Sequence, residues 1–251
     1  MNGRPAIVVA IPAHDEGSSI ARTVQSVRDA LRWASRRRVI SSSSIQVVAH
    51  RCSDRTAEEA RAALGHAEVG AVVQDEMSIS IGQVRDYAAR RGLATLSSPA
   101  EETWILSTDA DTVVPRRWVV EIIRAARRYD VRAVVGLAEL DRFRGSRHAE
   151  TAYAGILQRG LVPGAGSLHQ HDHVYGANLA VRADAYREAG GFPHLPHGED
   201  TRLVEALVDR DVPVLRTCDV IVTTSGRLHG RAAGGLADLL RGLDEPSHVS
   251  A

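Results

Sequence analysis

Trp104-Ile105-Leu106-Ser107-Thr108-Asp109-Ala110-Asp111 reads as a buried strand that ends in two carboxylates one residue apart. Carboxylates at the carboxyl end of a strand in an open α/β sheet lie on the rim where such sheets bind ligands. The single spacer lets two acids approach one hard divalent cation and leaves positions for substrate oxygens. Asp-x-Asp also occurs in ordinary turns and helix starts, so the stretch takes its meaning from the segments around it.

Upstream, residues 6–11 form a continuous apolar run closed by Pro12, the pattern of a buried parallel strand. His14-Asp15-Glu16-Gly17 is its polar turn. Ile20, Val24, Val27, Leu31 and Ala34 follow at helical spacing. Arg36-Arg37-Arg38 then leads into a serine loop, either as a solvated helix end or as a phosphate or membrane contact. Residues 45–49 are a second strand, and Thr56 with Glu59 makes a capping box for a second helix. Residues 68–73 read as a third strand. A third helix entered through residues 78–82 places Gly82 at its start and Arg85 in its second turn. Free amides and a planar cation there suit a diphosphate, and an ordinary surface arginine is the alternative. Strand and helix thus alternate up to residue 108, the order of a doubly wound sheet with parallel strands.

Downstream, residues 118–129 carry an amphipathic helix and 133–140 a strand. Residues 148–158 have helical spacing. Then comes His169-Gln170-His171-Asp172-His173, whose alternate histidines share one face of an extended chain. That string reads as a transition-metal site, a set of polar substrate contacts or a solvated loop. A strand over 176–181, a short helix ended by Gly190-Gly191, a helix from about Glu199 to Arg210, and short strands at 214–216 and 220–223 complete the pattern. The tail holds a last helix from Leu236 and frays from Glu245.

The 251 residues have an ordinary globular composition, 44% hydrophobic and 25% charged, with 31 basic and 31 acidic groups in balance. Balance leaves no global field for nucleic acid. Every basic residue counted is Arg. Two cysteines make no disulfide framework, and reduced thiols fit a cytoplasmic protein. No leader pattern opens the chain, and no run of about 18 apolar residues spans a membrane; peripheral attachment stays open. We expect one domain over residues 1–251, with a first half at 1–112, a second half at 113–235 and a tail at 236–251.

In order, Ile11-Pro12-Ala13-His14-Asp15-Glu16, Cys52-Ser53-Asp54-Arg55-Thr56, Asp109-Ala110-Asp111, Gly176-Ala177-Asn178, Gly190-Gly191-Phe192 and Gly198-Glu199-Asp200 resemble the family 2 glycosyltransferases. The resemblance implies an α/β GT-A fold with a mixed central sheet and a nucleotide-diphospho-sugar donor of UDP or GDP type. It implies that Pro12, His14 and Glu16 contact the nucleotide, with His50, Ser53 and Asp54 in the loop after the second strand. Asp109, Ala110 and Asp111 would sit at the diphosphate, with Mn²⁺ or Mg²⁺ held by the two acids and Arg85 and Gly82 alongside. The acid of the Gly-Glu-Asp motif is the general base of inverting members, which places Asp200 in that role and Glu199 beside the acceptor. Helix capping is the competing reading of that pair. Asn178 contacts the donor sugar or acceptor, or forms a turn. Some relatives draw a third metal ligand from a late histidine. His229 is the candidate here, unless the stretch with Arg227 is an arginine-rich lid on the diphosphate.

Two departures stand out. The family commonly has an acid just after the second strand, where it accepts from the nucleotide base; this chain has His50 followed by Arg51. The long extensions of polysaccharide synthases are missing, which argues for transfer of one sugar to a small-molecule, lipid-linked or glycan acceptor. A nucleotidyltransferase that makes sugar nucleotides is the alternative activity, although residues 12–18 lack its Gly-rich triphosphate loop. A silent sugar-nucleotide-binding protein is the alternative without chemistry.

Overall fold

All eight residues of β1 (Ala6–Ala13) are buried, and its alternating side chains serve two cores. Ile7, Val9 and Ile11 face one helix layer, while Val8 and Ala10 face the other. The computed structural model describes residues 3–65, 70–141, 143, 145–163, 169–230 and 234–245. From β1 the chain runs through α1 (Ile20–Arg36), β2 (Ser42–His50), α2 (Thr56–Leu64), β3 (Gly70–Asp75), α3 (Ile81–Thr95) and β4 (Thr103–Ser107). Strands β3, β2, β1 and β4 lie side by side in that order, all parallel. This is the doubly wound half expected from the alternation of elements. The expected start of the third strand at Glu68 lies outside the described residues.

The second half continues with α4 (Trp118–Arg128), β5 (Ala133–Asp141), α5 (Arg147–Arg159) and a small hairpin, β6 (Leu161–Pro163) with β7 (His169–His171). Then follow β8 (Leu179–Arg182), α6 (Ala183–Glu188), α7 (Glu199–Val208), β9 (Val214–Ser225) and α8 (Leu236–Asp244). Strand β8 inserts antiparallel between β4 and β5, and β9 pairs parallel with β5. The seven-stranded sheet is therefore mixed, in the order β3-β2-β1-β4-β8-β5-β9. Because only β8 runs backwards, its N-terminal approach reaches the same rim as the carboxyl ends of the other six. That topological fact gathers the site.

Three local expectations change. Thr56 is the first residue of α2 and caps nothing; its backbone N–H donates to Asp54 Oδ1 (2.9 Å), and its hydroxyl accepts from the Glu16 N–H (2.7 Å). A neighbouring carboxylate and a distant backbone amide take up Thr56 in place of the capping box. Gly176–Asn178 forms a short 3₁₀ turn ahead of β8 rather than the start of the strand. The two late strands are one, β9, whose ladder with β5 shifts register between Val135 and Leu137. The end expected to fray lies, beyond Glu245, outside the described residues.

Helices α1, α2 and α4 cover one face of the sheet, and α3, α6 and α7 cover the other. Trp104 and Trp118 are fully buried. No described helix is long and apolar enough to cross a membrane.

Candidate active site

The acidic turn is pinned from behind. The Thr108 N–H donates to Ala10 O (3.2 Å), and the Thr23 hydroxyl of α1 donates to Ala110 O (2.9 Å). Ala110 is thereby buried and committed to the scaffold, while its two neighbours turn outward. The Asp109 side chain is 36% exposed and that of Asp111 13%. Burial, then the charges of Asp109 and Glu16, push Asp111 up to about 6, and Arg227 opposes them. Arg227 Nη2 lies 3.1 Å from Asp111 Oδ2, and its Nη1 donates to Glu16 Oε2 (3.0 Å). Glu16 is buried and also accepts from the Ser19 hydroxyl (2.6 Å).

Three carboxylates thus converge with one guanidinium between them. An all-oxygen donor set of this kind suits a hard divalent cation such as Mg²⁺ or Mn²⁺. Asp109 and Asp111 fit such an ion. His229 is exposed. It forms no ligand cluster with them: among the described residues, the one group of three metal-ligating side chains within 4.8 Å of one another is His14, Asp15 and Cys52. Arg227, two residues earlier, is the group from this segment that reaches the acids.

Arg85 is not a surface arginine. Its side chain is 6% exposed and lies beneath the rim, donating from Nε to Glu199 Oε1 (2.7 Å) and from Nη1 to Ser107 Oγ (2.7 Å). Nη2 reaches Asp109 Oδ1. The start of α3 is equally committed: the Gly82 N–H donates to Leu195 O and the Gln83 N–H to Ser80 Oγ, both at 3.2 Å. A Cβ on Gly82 would lie 1.8 Å from Pro193 O, so close packing requires a glycine here.

Glu199 is buried against Arg85. Burial pushes its carboxyl up, against the pull of the arginine. Asp200 is the accessible acid of the pair. Its Oδ2 accepts from the Gly176 N–H at 2.6 Å, and Gly176 O in turn faces Arg85 Nη1 at 3.4 Å. Asp109, Arg85, Gly176 and Asp200 form one connected network across the rim.

Asn178 lies below that network, 1% exposed. Its Oδ1 accepts from Trp118 Nε1 (2.9 Å), and its Nδ2 donates to Leu137 O (2.8 Å) and Val220 O (3.0 Å). The amide joins three elements, and the residue also closes the 3₁₀ turn ahead of β8.

At the other end of the rim, the loops after β1 and β2 are laced together. Asp15, at φ +51°, accepts from the Ser53 N–H (2.7 Å), and Asp54 Oδ2 accepts from the Gly17 N–H (2.8 Å). Ser53 and Asp54 therefore brace the turn that carries Pro12, itself buried, and His14. His14 Nδ1 is 2.8 Å from His50 O, and His50 Nδ1 is 3.0 Å from Asp75 Oδ2. Asp75 ends β3 directly across from His50. Burial raises its pKa, but hydrogen bonds from Ser78, Met77 and His50 hold it below the ordinary carboxylate range.

The histidine string lies apart from the acids. Among its described side chains, His171 Nε2 meets Val135 O and His173 Nε2 meets Leu157 O, both at 3.2 Å. The side chain of His169 lies outside the described residues.

No protein-family model matches the chain, and no curated protein matches it in sequence. Solved structures do match in shape. The mannosyltransferase PcManGT from Pyrobaculum calidifontis, in complex with GDP-Man and Mn²⁺, superposes with TM-score 0.63 at 15% identity, over 92% of this chain and 59% of that one. TarS from S. aureus in complex with UDP-GlcNAc gives 0.60 at 14% identity, over 95% and 65%. GalNAc-T7 with UDP, GalNAc and Mn²⁺ gives 0.63 at 14% identity, over 89% and 44%. The chain spans less than two thirds of the length of each. The likeness is one of architecture, and the chain carries the GT-A fold found in these glycosyltransferases.

Proposed function

We propose that the chain is an inverting glycosyltransferase of the family 2 kind, moving one sugar from a nucleotide-diphospho-sugar to an acceptor hydroxyl with a divalent cation bound. The observation that carries this reading is the network joining Asp109 to Asp200 through Arg85 and Gly176 on one rim of the sheet. It sets an acidic turn suited to a metal–diphosphate beside a single accessible carboxylate suited to a base.

Asp109 and Asp111 would hold Mn²⁺ or Mg²⁺. Such an ion supplies Lewis-acid stabilisation of the charge on the departing diphosphate. Asp200, aimed by the Gly176 N–H, takes the proton of the acceptor hydroxyl as that oxygen attacks the anomeric carbon. The bond from that carbon to the diphosphate oxygen breaks, and its electron pair leaves with the nucleoside diphosphate. Inversion needs only this one base, and Glu199 is occupied by Arg85. Arg227 presents a planar cation to phosphate oxygens. His14, His50 and the braced loops face the nucleoside.

The test is thermal unfolding with UDP- and GDP-sugars, each with and without Mn²⁺. A matched donor at about 100 times its dissociation constant stabilises the fold by about 2.7 kcal/mol. We expect that gain only with metal, for a sugar nucleotide. Stabilisation by a nucleoside triphosphate alone, or by no sugar nucleotide at all, overturns the reading.

A further inference from the structure

Away from the rim, α1 ends in an uneven distribution of charge. The chain as a whole balances 31 bases against 31 acids, yet residues 28–38 hold five arginines and the single acid Asp29. Helix α1 is 17 residues long, about 25 Å, and its C-terminal turn leads to Ser41, whose N–H donates to Pro5 O just before β1, at the end of the parallel strands opposite the acidic turn. There Asp29, Arg32, Trp33, Arg36 and Arg116 line a cleft of about 300 Å³. Arg37 and Arg116 lie over the Trp33 ring, their guanidinium carbons 4.1 and 3.9 Å from its centroid. Arg36, Arg37, Arg38 and Arg116 are exposed, and none has an ion pair among the described residues.

Like charges gathered around a single acid repel one another, and stacking on an indole offsets only part of that cost. Tryptophan favours the headgroup level of a bilayer, where its apolar ring and polar N–H both find partners. Arg36, Arg37 and Arg38 are consecutive and all exposed, and of the three only Arg36 lines the cleft, so the basic end of α1 fans outward and does not converge wholly on that cleft. That spread matches a plane of phosphates better than a single soluble anion.

We propose that the α1 C-terminal turn, with Trp33 and its arginines, is a docking surface for an anionic phospholipid bilayer, which holds the protein at the membrane without spanning it. The proposal stands apart from the assignment of the catalytic residues.

Trp33 supplies its own probe, because the other two tryptophans, Trp104 and Trp118, are both 0% exposed. The intact chain is mixed with vesicles of phosphatidylcholine alone or of phosphatidylcholine with phosphatidylglycerol. Binding is read by sedimentation, the emission maximum and acrylamide quenching. The expected result is sedimentation only with the anionic vesicles, a blue shift, shielding of Trp33 and release by high salt. Each arginine near a charged leaflet is worth roughly fivefold, so Arg36→Gln/Arg37→Gln/Arg116→Gln should bind roughly a hundredfold more weakly. Arg36→Gln/Arg38→Gln leaves both stacked guanidiniums in place and should lose roughly thirtyfold with an unchanged Tm. Equal sedimentation with neutral vesicles, undiminished binding of the double variant, or shielding by inositol hexakisphosphate without vesicle binding would each overturn the proposal.

Discussion

Arg85 and Glu199, 114 residues apart in sequence, meet at 2.7 Å with side chains only 6% and 5% exposed. The same guanidinium also holds Ser107 at the end of β4 and Asp109 in the acidic turn. One buried cation therefore sets the distance between the turn that would carry a metal and the helix that carries Asp200. Its planar fork allows this, because each nitrogen serves a different element.

Breaking the pair should cost more than removing it. Arg85→Met leaves Glu199 as an uncompensated buried acid, and we expect a loss of about 3–5 kcal/mol in urea unfolding. Arg85→Met/Glu199→Met removes both charges and should recover a large part of that loss. Equal destabilisation of the single and double variants would show that the two residues are not coupled.

Asp200→Asn separates base from scaffold. The asparagine oxygen still accepts from the Gly176 N–H, so the start of α7 keeps its anchor. Transfer should fall by about 10²–10⁴-fold, while the thermal shift with sugar nucleotide and Mn²⁺ stays within error. Turnover close to that of the parent would remove Asp200 from the base role.

Much of this fold is legible from one-dimensional pattern. Strands β1 and β4 announce themselves as apolar runs because both faces are covered, and α1 and α4 show the helical period because each covers one core. Asp109, Asp111 and Asp200 are legible because strand end and helix start give their positions meaning. Arg85 is not, since an arginine inside a helix looks the same whether its partners are water or a carboxylate 114 positions away. Asn178 is obscured for the same reason: Trp118, Leu137 and Val220, which take up its amide, come from three separate segments. Gly136 shares that dependence, as a Cβ there would sit 2.3 Å from Asn178 Nδ2. His50 looked like a lost acid, but Asp75 from the neighbouring strand stands directly behind it.

His171 gives the fold a specific acid sensitivity. It is 1% exposed and its Nδ1 has no partner. Burial holds its pKa below the ordinary 6.5, against the pull of the Val135 carbonyl. The unfolded chain therefore takes up this proton at a higher pH than the folded one. The associated stability is complete above about 6.5 and declines as pH falls from there through the folded value. His171→Gln should flatten the pH dependence of unfolding in that window by up to one proton, about 1.4 kcal/mol per pH unit. An unchanged slope would place the acid sensitivity elsewhere.

Arg227 occupies ground that a divalent cation would contest. Its guanidinium lies 3.1 Å from Asp111 and also holds Glu16, so it neutralises the acids that suit a metal. Two consequences of opposite sign follow from its removal. Arg227→Gln frees Asp111 from a competing cation, so Mn²⁺ alone should bind about tenfold more tightly, the scale of a hydrogen bond to a charged group. The same variant loses a planar cation for the diphosphate and should bind nucleoside diphosphate with Mn²⁺ about tenfold more weakly. Titration calorimetry with the metal alone, then with the nucleotide at saturating metal, reads the two changes separately. If both affinities fell together, Arg227 would be supporting the acidic turn structurally, and its place as a competing and phosphate-facing cation would be lost.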